Sequence, residues 1–93
     1  MIAAPMEAPS RPTRPQILAE IRTFVADWFR DGRGEGLEPD TPLVTSGIVD
    51  SAGVLEVVEF LERRFGVKIH ETDLTLRNCN TLTALTELVA QRQ

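Results

Sequence analysis

The chain has 93 residues, 42% of them apolar, with one cysteine, one histidine and a net charge of −4. That describes one small domain without a disulfide framework, a cysteine- or histidine-built metal site, or the basic surface that nucleic acid requires. No apolar run approaches the roughly 20 residues of a transmembrane helix, and the N-terminal segment lacks the apolar stretch of a secretory signal, so a cytoplasmic monomer is the expectation.

Residues 1 to 15, "MIAAPMEAPSRPTRP", hold four of the six prolines. Proline removes amide donors and restricts φ, so a flexible N-terminal tail is expected here, with the folded domain over residues 16 to 91. Thr13 and Gln16 have the spacing of a capping box, and Pro15 suits a first helical turn. Ile17, Leu18, Ile21, Phe24, Val25, Trp28 and Phe29 then recur at steps of three and four, which predicts an amphipathic helix of about four turns. Trp28 and Phe29 are assigned to the core with the rest. Gly32, in "DGRGEG", is the natural left-handed stop.

Residues 31 to 50 form a long connection punctuated by glycine and proline, a length often associated with function. Leu37, Leu43, Ile48 and Val49 are the residues expected to pin it to the core. A second helix follows from about Ser51 to Arg64. Its projection gathers Val54, Val57, Val58, Leu61 and Phe65 on a buried side, with Ala52, Leu55, Glu56, Glu59 and Glu62 opposite. Leu55 is then an apolar residue on an acidic outer strip. Gly66 ends the helix.

In "VKIHETDLTLRN" the pattern predicts an extended connector and a short helical turn around Asp73 to Leu76. A last helix is capped by Asn80 or Thr81, with Leu82, Leu85, Leu88 and Val89 along its buried edge. Three long helices and one short helix make an all-α antiparallel four-helix bundle.

The chemistry centres on Asp50-Ser51. Serine is a favoured N-cap residue, so Ser51 has a purely structural reading. It also has a chemical one. A helix N-terminus carries unpaired N–H groups and partial positive charge, and stabilises a phosphate on a nearby hydroxyl without any basic side chain. Cys79 stands before the last helix, but with no second cysteine and only His70 as a base its structural reading is preferred. A Ser- or Cys-based hydrolase lacks the supporting groups.

Asp50-Ser51, followed by "VLEVVEFLERRFGV", resembles the attachment motif of acyl and peptidyl carrier proteins. The likeness spans about residues 16 to 90 and includes the long first loop and the acidic second helix. "IVDSAG" is similar to the Asp-Ser-x-Gly variant of D-alanyl carrier proteins and other free-standing carriers served by adenylating ligases. This resemblance implies a non-catalytic carrier with 4′-phosphopantetheine on Ser51, installed by a phosphopantetheinyl transferase that recognises Asp50. An acyl or aminoacyl group would hang from the arm as a thioester. Ala52, Leu55, Glu56, Glu59 and Glu62 would then meet basic partner surfaces, among them an adenylating ligase and downstream transferases. The rival is a helical interaction module with no prosthetic group.

Overall fold

Residues 12–93 are described by the computed structural model. Helix α1, Arg14–Phe29, starts where the capping box predicts: the Gln16 N–H donates to Thr13 Oγ1, and the Thr13 N–H donates to Gln16 Oε1 at 2.8 Å. Thr13 to Pro15 therefore already belong to the cap and first turn, two to three residues before the boundary expected at 16. The rest of the expected tail, residues 1 to 11, lies outside the described residues.

The long connection leads to α2, Ser51–Phe65, which Gly66 stops in the left-handed conformation at φ 68°. One 3₁₀ turn, Glu71–Asp73, and the short α3, Leu76–Cys79, replace the single turn predicted around Asp73 to Leu76. Of the two cap candidates for α4, Leu82–Arg92, Thr81 takes the role, its Oγ1 accepting the Ala84 N–H at 3.0 Å. The described residues contain four α-helices and no strand, the all-α four-helix bundle that the pattern predicts.

Both α2 and α4 run against α1. Phe24 and Phe29 of α1 meet Phe60 and Gly53 of α2 in reverse order. Arg14 of α1 pairs with Glu87 of α4, while Leu18 sits beside Thr83 and Thr86. Ile17, Ile21 and Val25 of α1 close on Leu61, Leu82, Leu85 and Val89, all fully enclosed. Burying each such side chain stabilises the fold by about 1.5–3 kcal/mol.

Trp28 corrects the core assignment: it is 60% exposed. Steps of four residues advance about 40° around a helix. The buried face of α1 therefore drifts from Ile17 through Ile21 to Val25 and Ala26, and leaves Trp28 on its outer edge. Phe29, Val54 and Phe65 are likewise only half-buried, packed against the core rather than within it.

Leu37, Leu43 and Val49 anchor the long connection in the core as expected. Polar contacts invisible to apolar patterning finish the work. Arg22 donates to the carbonyls of Leu37 at 2.9 Å and Gly34 at 2.7 Å. Asn80 holds three consecutive amides from the other side. Its carbonyl accepts the Leu43 N–H at 2.6 Å, and its Oδ1 accepts those of Val44 and Thr45 at 2.8 and 3.1 Å.

Candidate functional site

Backbone geometry at the start of α2 separates two adjacent residues with different tasks. Asp50 is extended, at φ −83° and ψ −179°, and its Oδ1 accepts the Gly53 N–H at 2.7 Å. The cap is therefore Asp50. Ser51 is the first helical residue, which corrects the reading of Ser51 as the cap. A carboxylate also suits the partial positive charge of a helix N-terminus better than a hydroxyl does.

Relieved of capping, the Ser51 side chain is exposed and has no hydrogen-bond partner among the described residues. Of the first-turn N–H groups, that of Gly53 is held by the Asp50 side chain and that of Val54 by the Asp50 carbonyl, which leaves those of Ser51 and Ala52 without an acceptor in the helix. Beside it opens a groove of about 340 Å³ between α2 and α3, lined by Val44, Ser51, Val54, Leu55, Leu74, Thr75, Leu76 and Cys79. Val44, whose amide donates to Asn80, lines the groove from the long connection. Leu55 and Leu76, both more than half exposed, stand at its lip.

Gly53 is what lets α1 approach here. A Cβ at this position would stand 2.6 Å from Phe29 Cε1 and 3.1 Å from the capping oxygen of Asp50. The glycine thus serves the packing of α1 on α2 directly behind Ser51, a role that one sequence alone does not reveal.

Ala52, Leu55, Glu56 and Glu59 lie exposed on the outer side of α2, together with Asp50. Glu62 is partly withdrawn from that strip. It is half-buried, and its Oε2 accepts the Ile69 N–H at 2.9 Å, tying the connector after α2 back onto the helix. Arg63 and Arg64 follow, and Arg64 turns toward Glu20 of α1, its Nη2 donating at 2.7 Å.

Cys79 forms part of the groove wall and is 6% exposed. Burial, with the nearby Asp73 carboxylate, pushes its thiol pKa up, so the proton is held more firmly than on a free cysteine. That is the opposite of an activated nucleophile. His70 is exposed, and its backbone N–H donates to Asp73 Oδ2 at 3.0 Å. Among the described residues no cluster of three or more His, Cys, Asp or Glu side chains is suited to a metal ion, and no helix is long and apolar enough to cross a membrane.

The profile of the phosphopantetheine attachment site family matches residues 19–89, the span from mid-α1 to α4. A probable acyl carrier protein, PigG, from Serratia sp. is 35% identical over 71 residues, covering 76% of this chain and 82% of that protein. The chain belongs to the phosphopantetheine-binding carrier family. The carrier is not an enzyme; it bears 4′-phosphopantetheine and works with the transferase that installs the group and with biosynthetic enzymes. The module without a prosthetic group is thereby disfavoured.

The N-terminal end of α2 fits such a group. A phosphodiester on an exposed hydroxyl there would face the first-turn N–H groups, and an apolar groove begins at the same side chain. Among the serines of the matched span the contrast is clear. Ser46 Oγ is engaged at 3.4 Å with the Leu43 carbonyl and with the Ile48 N–H, while Ser51 makes no such bond.

Proposed function

We propose that Ser51 is the residue that holds 4′-phosphopantetheine and that the carrier presents acyl or aminoacyl thioesters from it to partner enzymes. One observation carries this assignment: the free, exposed Ser51 hydroxyl at the head of α2. When bound, the arm supplies a terminal thiol that holds cargo as a thioester. The chain contributes position and recognition. Asp50 orders the turn that presents Ser51 and offers a carboxylate to the transferase beside the hydroxyl being modified.

Ala52, Leu55, Glu56 and Glu59 form the face that partner enzymes meet, with Glu62 at its edge. Exposed carboxylates steer and orient an encounter, and one apolar side chain supplies contact area without making release slow. The small Ala52 and Gly53 after the serine match the Asp-Ser-x-Gly pattern, which favours loading by a free-standing adenylating ligase. The groove between α2 and α3 is placed to shelter apolar surface of the arm or its cargo next to Ser51.

Intact-mass measurement after coexpression with broad-specificity phosphopantetheinyl transferases tests the assignment. A gain of one phosphopantetheine is expected for the parent chain and for Ser46→Ala, and none for Ser51→Ala. A gain that survives Ser51→Ala would move the attachment elsewhere. An unchanged parent mass with several transferases would restore the interaction module.

A further inference from the structure

The groove between α2 and α3 has one chemical character throughout. Val44, Val54, Leu55, Leu74 and Leu76 give it apolar walls, and its other side chains are the Cys79 thiol and the hydroxyls of Thr75 and Ser51. Thr75 Oγ1 already accepts the Asn78 N–H at 3.2 Å. No charged or amide side chain lines the groove. Asp50 and Arg77, the charged neighbours in sequence of Ser51 and Leu76, are exposed and stand outside its lining. Three large apolar side chains among the described residues are more than half exposed, and two of them, Leu55 and Leu76, flank this groove. Apolar surface gathered in this way around a concave site marks a place of contact.

Ser51 is part of the wall, so a group attached to its hydroxyl starts at the groove. A 4′-phosphopantetheine arm changes character along its length. Just beyond the phosphate comes a carbon bearing two methyl groups. A hydroxyl and two amides follow, and the thiol with its cargo stands at the far end. The branched hydrocarbon of the arm is therefore the part tethered nearest to Ser51. Cargo could reach the same walls only if the arm doubled back and laid its amides over the apolar lip. An amide taken from water without a partner costs free energy, and the ammonium of an aminoacyl cargo would cost more.

We propose that the groove seats the paired methyl groups of the arm itself, and not the cargo. The seat is then the same whatever acyl or aminoacyl group the thiol carries. Two methyl groups bury little area, so the seat orients the arm and still releases it to a partner enzyme. The inference rests on the reading of Ser51 as the modified residue.

The test uses the full chain with labelled methyl groups, converted to the holo form with an unlabelled arm. Mass gain that is lost in Ser51→Ala establishes the attachment first. Isotope-filtered nuclear Overhauser spectra of the free-thiol form should show contacts from the two arm methyls to Val44, Leu55 and Leu76. The groove resonances should shift from apo to holo. They should then stay in place when the arm is installed from the octanoyl or the glycyl thioester of coenzyme A. Leu76→Ala trims an exposed side chain and should weaken the remaining contact to Val44 by roughly twofold, as apolar surface is lost. Groove shifts that appear only with octanoyl, together with contacts from its chain, would make the groove a cargo site and overturn the proposal. A holo chain without arm contacts to these residues would overturn it equally, with the Ser51 assignment intact. Mass gain that survives Ser51→Ala would instead remove the attachment on which the inference stands.

Discussion

Asp50 caps α2 through the Gly53 amide, and that one hydrogen bond leaves the neighbouring Ser51 hydroxyl without structural duty. The two residues divide a task that either can perform, since aspartate and serine are both good N-caps. Substitution distinguishes the capping role of Asp50 from its recognition role. Asp50→Ala should lower stability by about 1 kcal/mol, the usual cost of losing a cap. Asp50→Asn keeps an acceptor for the Gly53 amide, so most of that stability should return. Modification of Ser51 should stay slow in both variants if the transferase reads the carboxylate. Urea denaturation and timed intact-mass measurement give the two readouts. Restored modification in Asp50→Asn would reduce the aspartate to a cap.

The outer strip of α2 predicts a different pattern. Leu55 is 56% exposed, so Leu55→Ala removes little buried area and should change stability by less than about 0.5 kcal/mol. Transfer of cargo between the holo carrier and its loading enzyme should nevertheless slow. Glu56→Lys with Glu59→Lys should slow the encounter most at low salt and progressively less as salt screens the charges. Circular dichroism checks that α2 is retained. Undiminished loading of the charge-reversed carrier at low ionic strength would remove this face from the docking surface.

Acid sensitivity should trace to Asp73, whose side chain is mostly enclosed. The His70 amide, foremost, and Arg92 hold its pKa below the usual carboxylate range. A depressed folded-state pKa gives stability that is fully present above the unfolded value, about 4, and is lost as pH falls through the folded one. Glu87, lowered by its bond to Arg14, contributes in the same sense. Stability should therefore decline below about pH 4. In Asp73→Asn the decline should be shallower, from a less stable starting point at neutral pH. Denaturant midpoints measured between neutral pH and about pH 3 check both slopes.

What the sequence discloses about this fold divides along physical lines. The start of α1 is legible because Thr13, Pro15 and Gln16 act within one turn, and the stop at Gly66 because left-handed backbone selects glycine. Leu37 and Leu43 stand out as apolar residues in a polar stretch. Asn80 does not, because its three amide partners lie 35 or more residues away and only the fold brings them together. Glu62 misleads for a related reason. A helical projection places it outward, yet the chain returns past it and presents the Ile69 amide. Trp28 fits the apolar spacing and still escapes burial, since spacing cannot show how far the packing face rotates along α1. At the site, the Asp-Ser pair was visible, but which of the two caps the helix depends on one backbone turn.

Gly53 sets two effects against each other, and their balance is measurable. Alanine is favoured over glycine in a helix interior by about 1 kcal/mol, and part of that preference applies in the first turn, so Gly53→Ala alone on α2 would stabilise. In the folded chain its Cβ would stand 2.6 and 3.0 Å from Phe29 Cε1 and Cζ. Those atoms are the far edge of a half-buried ring in the last turn of α1, so the ring must tilt or α1 must move. Overpacking of this kind costs about 1–3 kcal/mol, and the sum should be a net loss on the order of 1 kcal/mol. Phe29→Leu removes the colliding edge, and in that background Gly53→Ala should become neutral or stabilising. The double-mutant cycle isolates the contact. The same displacement would disturb Asp50 Oδ1, only 3.1 Å from the new methyl, so modification of Ser51 should slow in Gly53→Ala and recover in the double variant. Recovery of stability without recovery of modification would show that the glycine serves the transferase directly rather than through the packing of α1.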